Sequence, residues 1–190
     1  MGKEKWKIIK LSIYLVLIAI VLAYFEVQIE GPNGWAGVLP TWKTESKWFT
    51  WIFAGRPVTG YHVALNLLLF LFFHWPFLFV KWNLADELSI IASNTILAVI
   101  WDFLWFIINP YFGFEKYRPE NIWWFKNWLL GFPIDYYVGI LVSFVIFFLS
   151  SYNRHKNVKK GIAESALFTL LCIIGTGIFA FLYTWIAGMI

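Results

Sequence analysis

Cysteine and charged residues are both scarce in this chain of 190 residues. Its single cysteine, Cys172, lies in an apolar stretch, so neither an internal disulfide nor a cluster of thiolate metal ligands can form. Only 14% of the residues are charged, whereas 61% are hydrophobic and 22% are aromatic. Soluble domains carry about 25% charged residues, and the mean hydropathy here is +0.68. The composition therefore excludes an ordinary soluble domain and predicts an integral membrane protein.

The sequence signatures of several enzyme classes are absent as well. The chain has no HExxH zinc motif, no GxSxG nucleophile motif, no phosphate-binding P-loop and no dinucleotide fingerprint. Its basic residues, which give a net charge of +4, stand beside apolar stretches rather than in a polar groove. That placement does not indicate nucleic-acid binding. We therefore expect no nucleic-acid partner and no organic cofactor.

Five apolar stretches are long enough to cross a bilayer, which takes about 20 residues of helix. They cover approximately residues 8–25, 61–80, 84–108, 136–151 and 163–187. The chain is too short to hold a separate soluble domain in addition to these five spans. We therefore predict one all-α domain over residues 1–190. It is an integral membrane bundle of five transmembrane helices in the cell membrane, with its two termini on opposite sides.

Lysine and arginine are distributed unevenly between the two sides of the predicted bundle. One side has nine of them, in the N-terminal tail and in short turns, and the other has six, spread through two long loops. Short cytoplasmic segments favour positive charge, whereas long loops count weakly. The pattern predicts a cytoplasmic N-terminus and an extracytoplasmic C-terminus.

Tryptophan is distributed even more unevenly. Of the 13 tryptophans only Trp6, Trp75 and Trp82 fall on the cytoplasmic side. Ordinary aromatic belts mark both interfaces, so the outer excess indicates an additional layer of structure. In the two outer loops, 26–60 and 109–135, segments 42–53 and 121–130 combine lysine with Trp and Phe, as amphipathic helices in the headgroup region do. We predict that two such interfacial helices cover the outer end of the bundle.

Asp102 is the most informative polar residue, because a carboxylate at mid-helix depth costs about 2.5 to 3.5 kcal/mol. It lies in the third span, and Trp105 and Asn109 follow it on the same helix face at i+3 and i+7. His62 and Asn66 of the second span form a second polar face at a similar depth. We expect these two faces to meet in a polar pocket.

Further polar residues are expected at this level of the bundle. Glu26 and Glu30 end the first span, Asp135 opens the fourth, and Arg56 and Arg118 are cations of the outer loops. If the protein is an enzyme, the candidate catalytic residues are Asp102, as acid or base, and His62, which assists it. The predicted ligand-binding residues are Glu30, Arg56, Asn66, Trp105, Asn109, Arg118 and Asp135. In the structural alternative, Asp102 pairs across helices and only fixes their packing.

Neither haem nor a metal ion is predicted. His62 and His74 point to different sides of one helix and lie at different depths, so they do not form a pair of axial haem ligands. A site made of His62, Asp102 and a glutamate is possible in principle. One histidine with dispersed carboxylates is nevertheless a weak pattern for zinc or magnesium.

Two segments carry a resemblance to known proteins. Residues 30–42, EGPNGWAGVLPTW, and residues 102–113, DFLWFIINPYFG, resemble a group of small uncharacterised prokaryotic polytopic membrane proteins. The resemblance covers about residues 26–140. It implies no activity, so no site residue is carried over from it.

Three functions remain open from the sequence. The leading hypothesis is a membrane protein that binds a lipid-like or other amphiphilic ligand in a polar pocket at the outer leaflet. The second is an integral membrane enzyme that acts on a lipid or isoprenoid headgroup, with Asp102 as acid or base. The third is a structural subunit of a membrane complex. Membrane lipids are the expected partners, together with a second copy of the chain or another membrane subunit.

Overall fold

The computed structural model describes residues 2–52 and 55–189, without the side chains of Phe49, Trp51 and Ile52. In chain order its helices are α1 (Gly2–Glu30), α2 (Lys47–Ile52), α3 (Gly60–His74), α4 (Leu84–Ile108), α5 (Ile134–His155) and α6 (Val158–Ala187). A 3-10 turn over Trp75–Leu78 continues α3. Five of these helices, all except α2, are long and apolar enough to cross a membrane. The predicted all-α, five-span membrane architecture is confirmed.

The ends of the helices follow from local chemistry. Gly31, with a φ of +56°, directly follows the last residue of α1, and glycine is the residue that adopts this left-handed conformation without a steric cost. Thr59 caps α3, because its Oγ1 accepts a hydrogen bond of 3.2 Å from the backbone N–H of His62. Asn83 caps α4 in the same way through Asp86 N–H at 2.9 Å. Helices α1, α4, α5 and α6 contain or match the predicted spans, and α1 is longer than predicted at both ends. The second predicted span, 61–80, is too long, because α3 ends at His74 and its 3-10 continuation ends at Leu78.

Helix α4 is the most buried of the five and packs against α1, α5 and α6. Two serines of α5 hold it close to α4. Ser143 donates to the carbonyl of Ala92 at 2.8 Å, and Ser150 donates to the carbonyl of Ala85 at 2.6 Å. Small hydroxyl residues of this kind allow close helix contact in membranes and satisfy their own hydrogen bonds. Helix α3 packs mainly on α4 and over a smaller area, so it borders a cleft.

We call the end of the bundle that carries the two long loops, 31–59 and 109–133, the loop end. Each loop contains a short antiparallel hairpin. In the first loop β1 (Lys43–Thr44) pairs with β2 (Val58–Thr59), and in the second β3 (Trp128–Leu129) pairs with β4 (Phe132–Pro133). Which side of the membrane this end faces remains a prediction from the charges.

The predicted interfacial helices are corrected by the structure. In the first loop only α2, Lys47–Ile52, is helical, and residue 53 of the predicted segment lies outside the described residues. In the second loop the helix predicted over 121–130 is wrong, because this segment contains turns and strand β3. Leu130 and Gly131 have φ angles of +48° and +83°. Two successive residues with positive φ are typical of a tight hairpin turn and cannot continue a helix.

Both loops nevertheless pack onto the bundle. Ile122 is fully buried, and the indole of Trp124 stacks on Phe106 of α4 with ring centroids 5.6 Å apart. Gly34 of the first loop lies so close to Trp124 that a Cβ atom there would be 2.3 Å from the indole. Trp48 is an exception, because it is 87% exposed and does not pack on the bundle. The loops therefore form an aromatic layer that covers the loop end.

Candidate functional site

A cavity of about 230 Å³ lies under the two loops. Its wall is formed by the C-terminal ends of α1 and α4, the N-terminal ends of α3 and α5, and residues of both loops. Seven of the nine predicted site residues line it: Glu30, Arg56, His62, Asn66, Asp102, Trp105 and Asp135. The structure thus brings together residues that are up to 105 positions apart in the chain.

The other two predicted site residues lie elsewhere. Asn109 is fully buried and follows α4, where its Nδ2 donates to the carbonyl of Gly31 at 2.8 Å and its Oδ1 accepts from Tyr111 N–H at 3.0 Å. It therefore ties the end of α4 to the end of α1. Arg118 is exposed in a turn of the second loop. It therefore does not line the cavity with the other predicted residues.

Arg56 is the guanidinium on the cavity wall, and its charge is already compensated. Its Nη2 donates to Oδ2 of Asp135 in an ion pair, and its side chain is only 12% exposed. The guanidinium also lies over the rings of Trp35 and Phe125, at 4.7 and 4.6 Å from their centroids. Such stacking on aromatic faces suits the flat, weakly hydrated guanidinium. Arg56 thereby connects the first loop, the second loop and α5.

Asp102 is held from the neighbouring helix. The buried hydroxyl of Tyr136, near the start of α5, donates a hydrogen bond to Oδ2 of Asp102. The ring of Tyr136 in turn packs edge-on against Phe125, with centroids 5.5 Å apart. Nearby in the second loop, burial raises the pKa of the Tyr117 hydroxyl well above its ordinary range, so this phenol stays neutral. Asp102 thus lines the cavity beside Tyr136 and Phe125 and is oriented by the Tyr136 hydroxyl.

Glu26, Glu30 and His62 form one group of polar side chains on the cavity wall, and all three are buried. One oxygen of each carboxylate and one ring nitrogen of His62 lie within 4.8 Å of one another. The carboxylate of Glu30 accepts from the backbone N–H of Ala36, and that of Glu26 accepts from the hydroxyl of Tyr61 at 3.2 Å. These three residues offer ligand atoms of the kinds that metal ions bind.

Negative charge dominates the cavity wall. Four carboxylates line it, those of Glu26, Glu30, Asp102 and Asp135, against one guanidinium. Only Asp135 of these four forms an ion pair within residues 2–52 and 55–189. Buried carboxylates are costly unless they are paired or hydrogen-bonded. The wall can therefore receive a cation or a group with several hydrogen-bond donors.

Most of the aromatic wall was missed by sequence reasoning. Trp105 was predicted, and the missed members are Trp35, Trp101, Trp124, Phe125 and Tyr136. Tyr136 could have been found, because it follows Asp135 at the predicted start of a span and can form a hydrogen bond. The loop residues carry no local signal, since only the packing of the loops brings them to the cavity.

A cleft of about 520 Å³ between α3 and α4 adjoins the cavity and extends along both helices away from the loop end. The two spaces share three lining residues, Asn66, Ala98 and Trp101. Leu67 and Phe70 line the cleft farther from the loop end. They are 55% and 51% exposed, so this side of the cleft is open at the outer surface of the bundle.

Comparison of the chain with protein-family models, with curated proteins and with solved structures gives no match.

Proposed function

We propose that this protein binds an amphiphilic, lipid-like molecule at the outer leaflet of the cell membrane. In this proposal the head group enters the polar cavity and an acyl or isoprenoid chain lies in the cleft between α3 and α4. The observation that carries it is that the two spaces adjoin and share the lining residues Asn66, Ala98 and Trp101. A polar cavity beside a mostly apolar cleft matches the two parts of an amphiphile.

The wall chemistry supports a head group that both donates and accepts hydrogen bonds. The carboxylates of Glu26, Glu30 and Asp102 can accept bonds from amine or hydroxyl groups. The buried donors of the wall that have no hydrogen-bond partner among the described residues include Nε of Arg56 and Nε1 of Trp105. An unpaired buried donor costs about 1–3 kcal/mol, so both favour a ligand oxygen. Zwitterionic and polyhydroxyl head groups have this chemistry.

The cleft supports the chain of the ligand. The part of the cleft that is farther from the loop end is lined by Leu67, Phe70 and Ile91, together with Asn94 and Thr95. The hydroxyl of Thr95 is satisfied within its own helix, because it donates to the carbonyl of Ile91 at 2.8 Å. The surface offered to a chain is therefore mostly apolar, and burying each CH₂ group contributes about 0.8 kcal/mol.

Ala98 gives a direct test, because it stands at the junction of cavity and cleft and has an exposed side chain. We expect Ala98→Phe to close the junction and reduce the amount of copurified amphiphile at least about tenfold, a change of about 1.4 kcal/mol. The measurement is native mass spectrometry of protein purified in mild detergent. Ala163→Phe, at an exposed position of α6 far from the cavity, is the matched control. Equal retention by the two variants would contradict the proposal.

A further inference from the structure

We propose that Glu26, Glu30 and His62 form a binding site for a divalent transition-metal cation. This inference does not rest on amphiphile binding, since a cation at this site leaves Asp102 and the Arg56–Asp135 pair available to a head group. The three candidate ligand atoms lie within 4.8 Å of one another. Bonds from a metal ion to His nitrogen and carboxylate oxygen are about 2.0–2.2 Å long. Closing the three atoms around an ion therefore requires each to move by less than about 1 Å.

Electrostatics favour a cation at this place. Glu26 and Glu30 are 8% and 5% exposed, and within the part of the chain that the structure describes neither forms an ion pair. The guanidinium of Arg56 is already engaged by Asp135. Two neighbouring buried carboxylates without a counter-charge are strongly unfavourable. A divalent cation between them removes this penalty.

The imidazole of His62 is an independent indication, because it adds a nitrogen ligand to the two carboxylates. The residue is 8% exposed, and its Nδ1 lies 2.7 Å from the hydroxyl of Thr59. The structure shows no hydrogen-bond partner for its second nitrogen, Nε2, among the described residues. A histidine with one nitrogen held by a hydrogen bond presents the other nitrogen in a fixed direction, as metal-binding histidines do.

The carboxylates have supporting contacts of the same kind. The backbone N–H of Ala36 holds one oxygen of Glu30, and the Tyr61 hydroxyl holds one oxygen of Glu26. Each carboxylate keeps further acceptor capacity for an ion. Contacts of this type orient the ligands of metal sites and raise metal affinity.

The ligand types identify the class of ion. Imidazole with carboxylates suits zinc, manganese, iron or cobalt, whereas calcium and magnesium prefer sites made only of oxygen. Three protein ligands leave at least one coordination position open, as in catalytic rather than structural zinc sites. Because all three residues line the cavity, this position is available to water or to an oxygen of a bound molecule.

Equilibrium dialysis of metal-stripped, delipidated protein in detergent tests the site, with Zn²⁺, Mn²⁺ and Co²⁺ as separate probes. We expect one ion per chain. We expect Glu26→Gln, Glu30→Gln and His62→Gln each to lower the affinity roughly 100-fold, and Tyr61→Phe, which removes a supporting contact, to lower it about tenfold. Glu87→Gln is the matched control, because Glu87 also contacts a histidine, His74 at 3.0 Å, far from the cavity.

Two results would overturn the proposal. One is the absence of stoichiometric binding by the unaltered protein, and the other is an equal loss of affinity in Glu87→Gln and Glu26→Gln. The visible spectrum of Co²⁺ added to the unaltered protein gives an answer that does not depend on folding of the variants. Intense bands of a four- or five-coordinate ion support the site, whereas the weak spectrum of hydrated Co²⁺ contradicts it. Because both measurements follow the metal ion and not the retention of a lipid-like ligand, failure here leaves the proposed function untouched.

Discussion

At the scale of single residues, each acid of the cavity has a different partner. Asp135 has the guanidinium of Arg56, and Asp102 has the hydroxyl of Tyr136. Glu26 has the hydroxyl of Tyr61, and Glu30 has a backbone N–H. Hydroxyl and amide donors orient a carboxylate but do not neutralise it. Three of the four acids therefore keep their capacity to bind a positively polarised group.

Asp102→Asn tests this statement, because it removes the charge and keeps the shape of the side chain. Hydrogen bonds to charged groups contribute about 1.5–3 kcal/mol, so we expect the retention of amphiphile to fall tenfold or more. The measurement is native mass spectrometry under the conditions used for Ala98→Phe. The control is Asp86→Asn, because Asp86 lies at the other end of α4 and pairs with Arg154 at 2.7 Å. Unchanged retention in Asp102→Asn would show that Asp102 only fixes helix packing.

How well the sequence predicts these residues depends on where each one stands. Glu30, His62, Asn66, Asp102 and Asp135 could be predicted because they lie at corresponding depths of helices whose spans are evident from hydropathy. Arg118 and Asn109 were expected in the same pocket, since depth was the available criterion. Their actual places depend on the path of the second loop and on a hydrogen bond from Asn109 to Gly31. Neither feature follows from hydropathy.

At the scale of elements, the contact between α4 and α5 depends on Gly139. A Cβ atom at this position would lie 2.6 Å from Cγ2 of Val99. Valine has few alternative rotamers in a helix, so the neighbour cannot easily give way. The absence of a side chain at Gly139 therefore sets how closely the two helices pack beside the cavity, which Val99 also lines.

We expect Gly139→Ala to destabilise the bundle by about 1–3 kcal/mol, as overpacking of a filled core does. Thermal unfolding in detergent, followed by circular dichroism, measures the effect. Gly177→Ala in α6 is the matched control, since a Cβ there meets nothing within 4 Å. Both substitutions raise helix propensity equally, so the difference between the variants isolates the contact with Val99. Equal melting temperatures would mean that the helices are less closely packed than described.

The loops show the limit of sequence reasoning at this scale. Segment 121–130 has the composition of an interfacial helix, but strand β3 and the turn at Leu130 and Gly131 occupy its end. The positive φ of Leu130 belongs to the two-residue turn between β3 and β4, and leucine by itself disfavours this conformation. Composition correctly placed the aromatic layer at the loop end, and it could not specify the secondary structure of that layer.

At the scale of the whole molecule, the helices and the loops have separate roles. The helices form a bundle centred on α4, with α3 set apart by a cleft, and the loops close one end with aromatic side chains. Hydropathy alone predicts the five spans, because the bilayer imposes their length. The cavity and the adjoining cleft depend on how α3 packs against α4, and this was not evident from the sequence.

Photolabelling tests the central claim most directly. The probe is a zwitterionic lipid analogue with a diazirine in its chain, incorporated into membranes that contain the protein. If the cavity and cleft together bind an amphiphile, the labelled peptides will come from residues of α3 and α4 that line the cleft, such as Leu67, Phe70 and Ile91, and unlabelled lipid will compete. Labelling spread evenly over the exposed faces of α1, α5 and α6, without competition, would contradict the account.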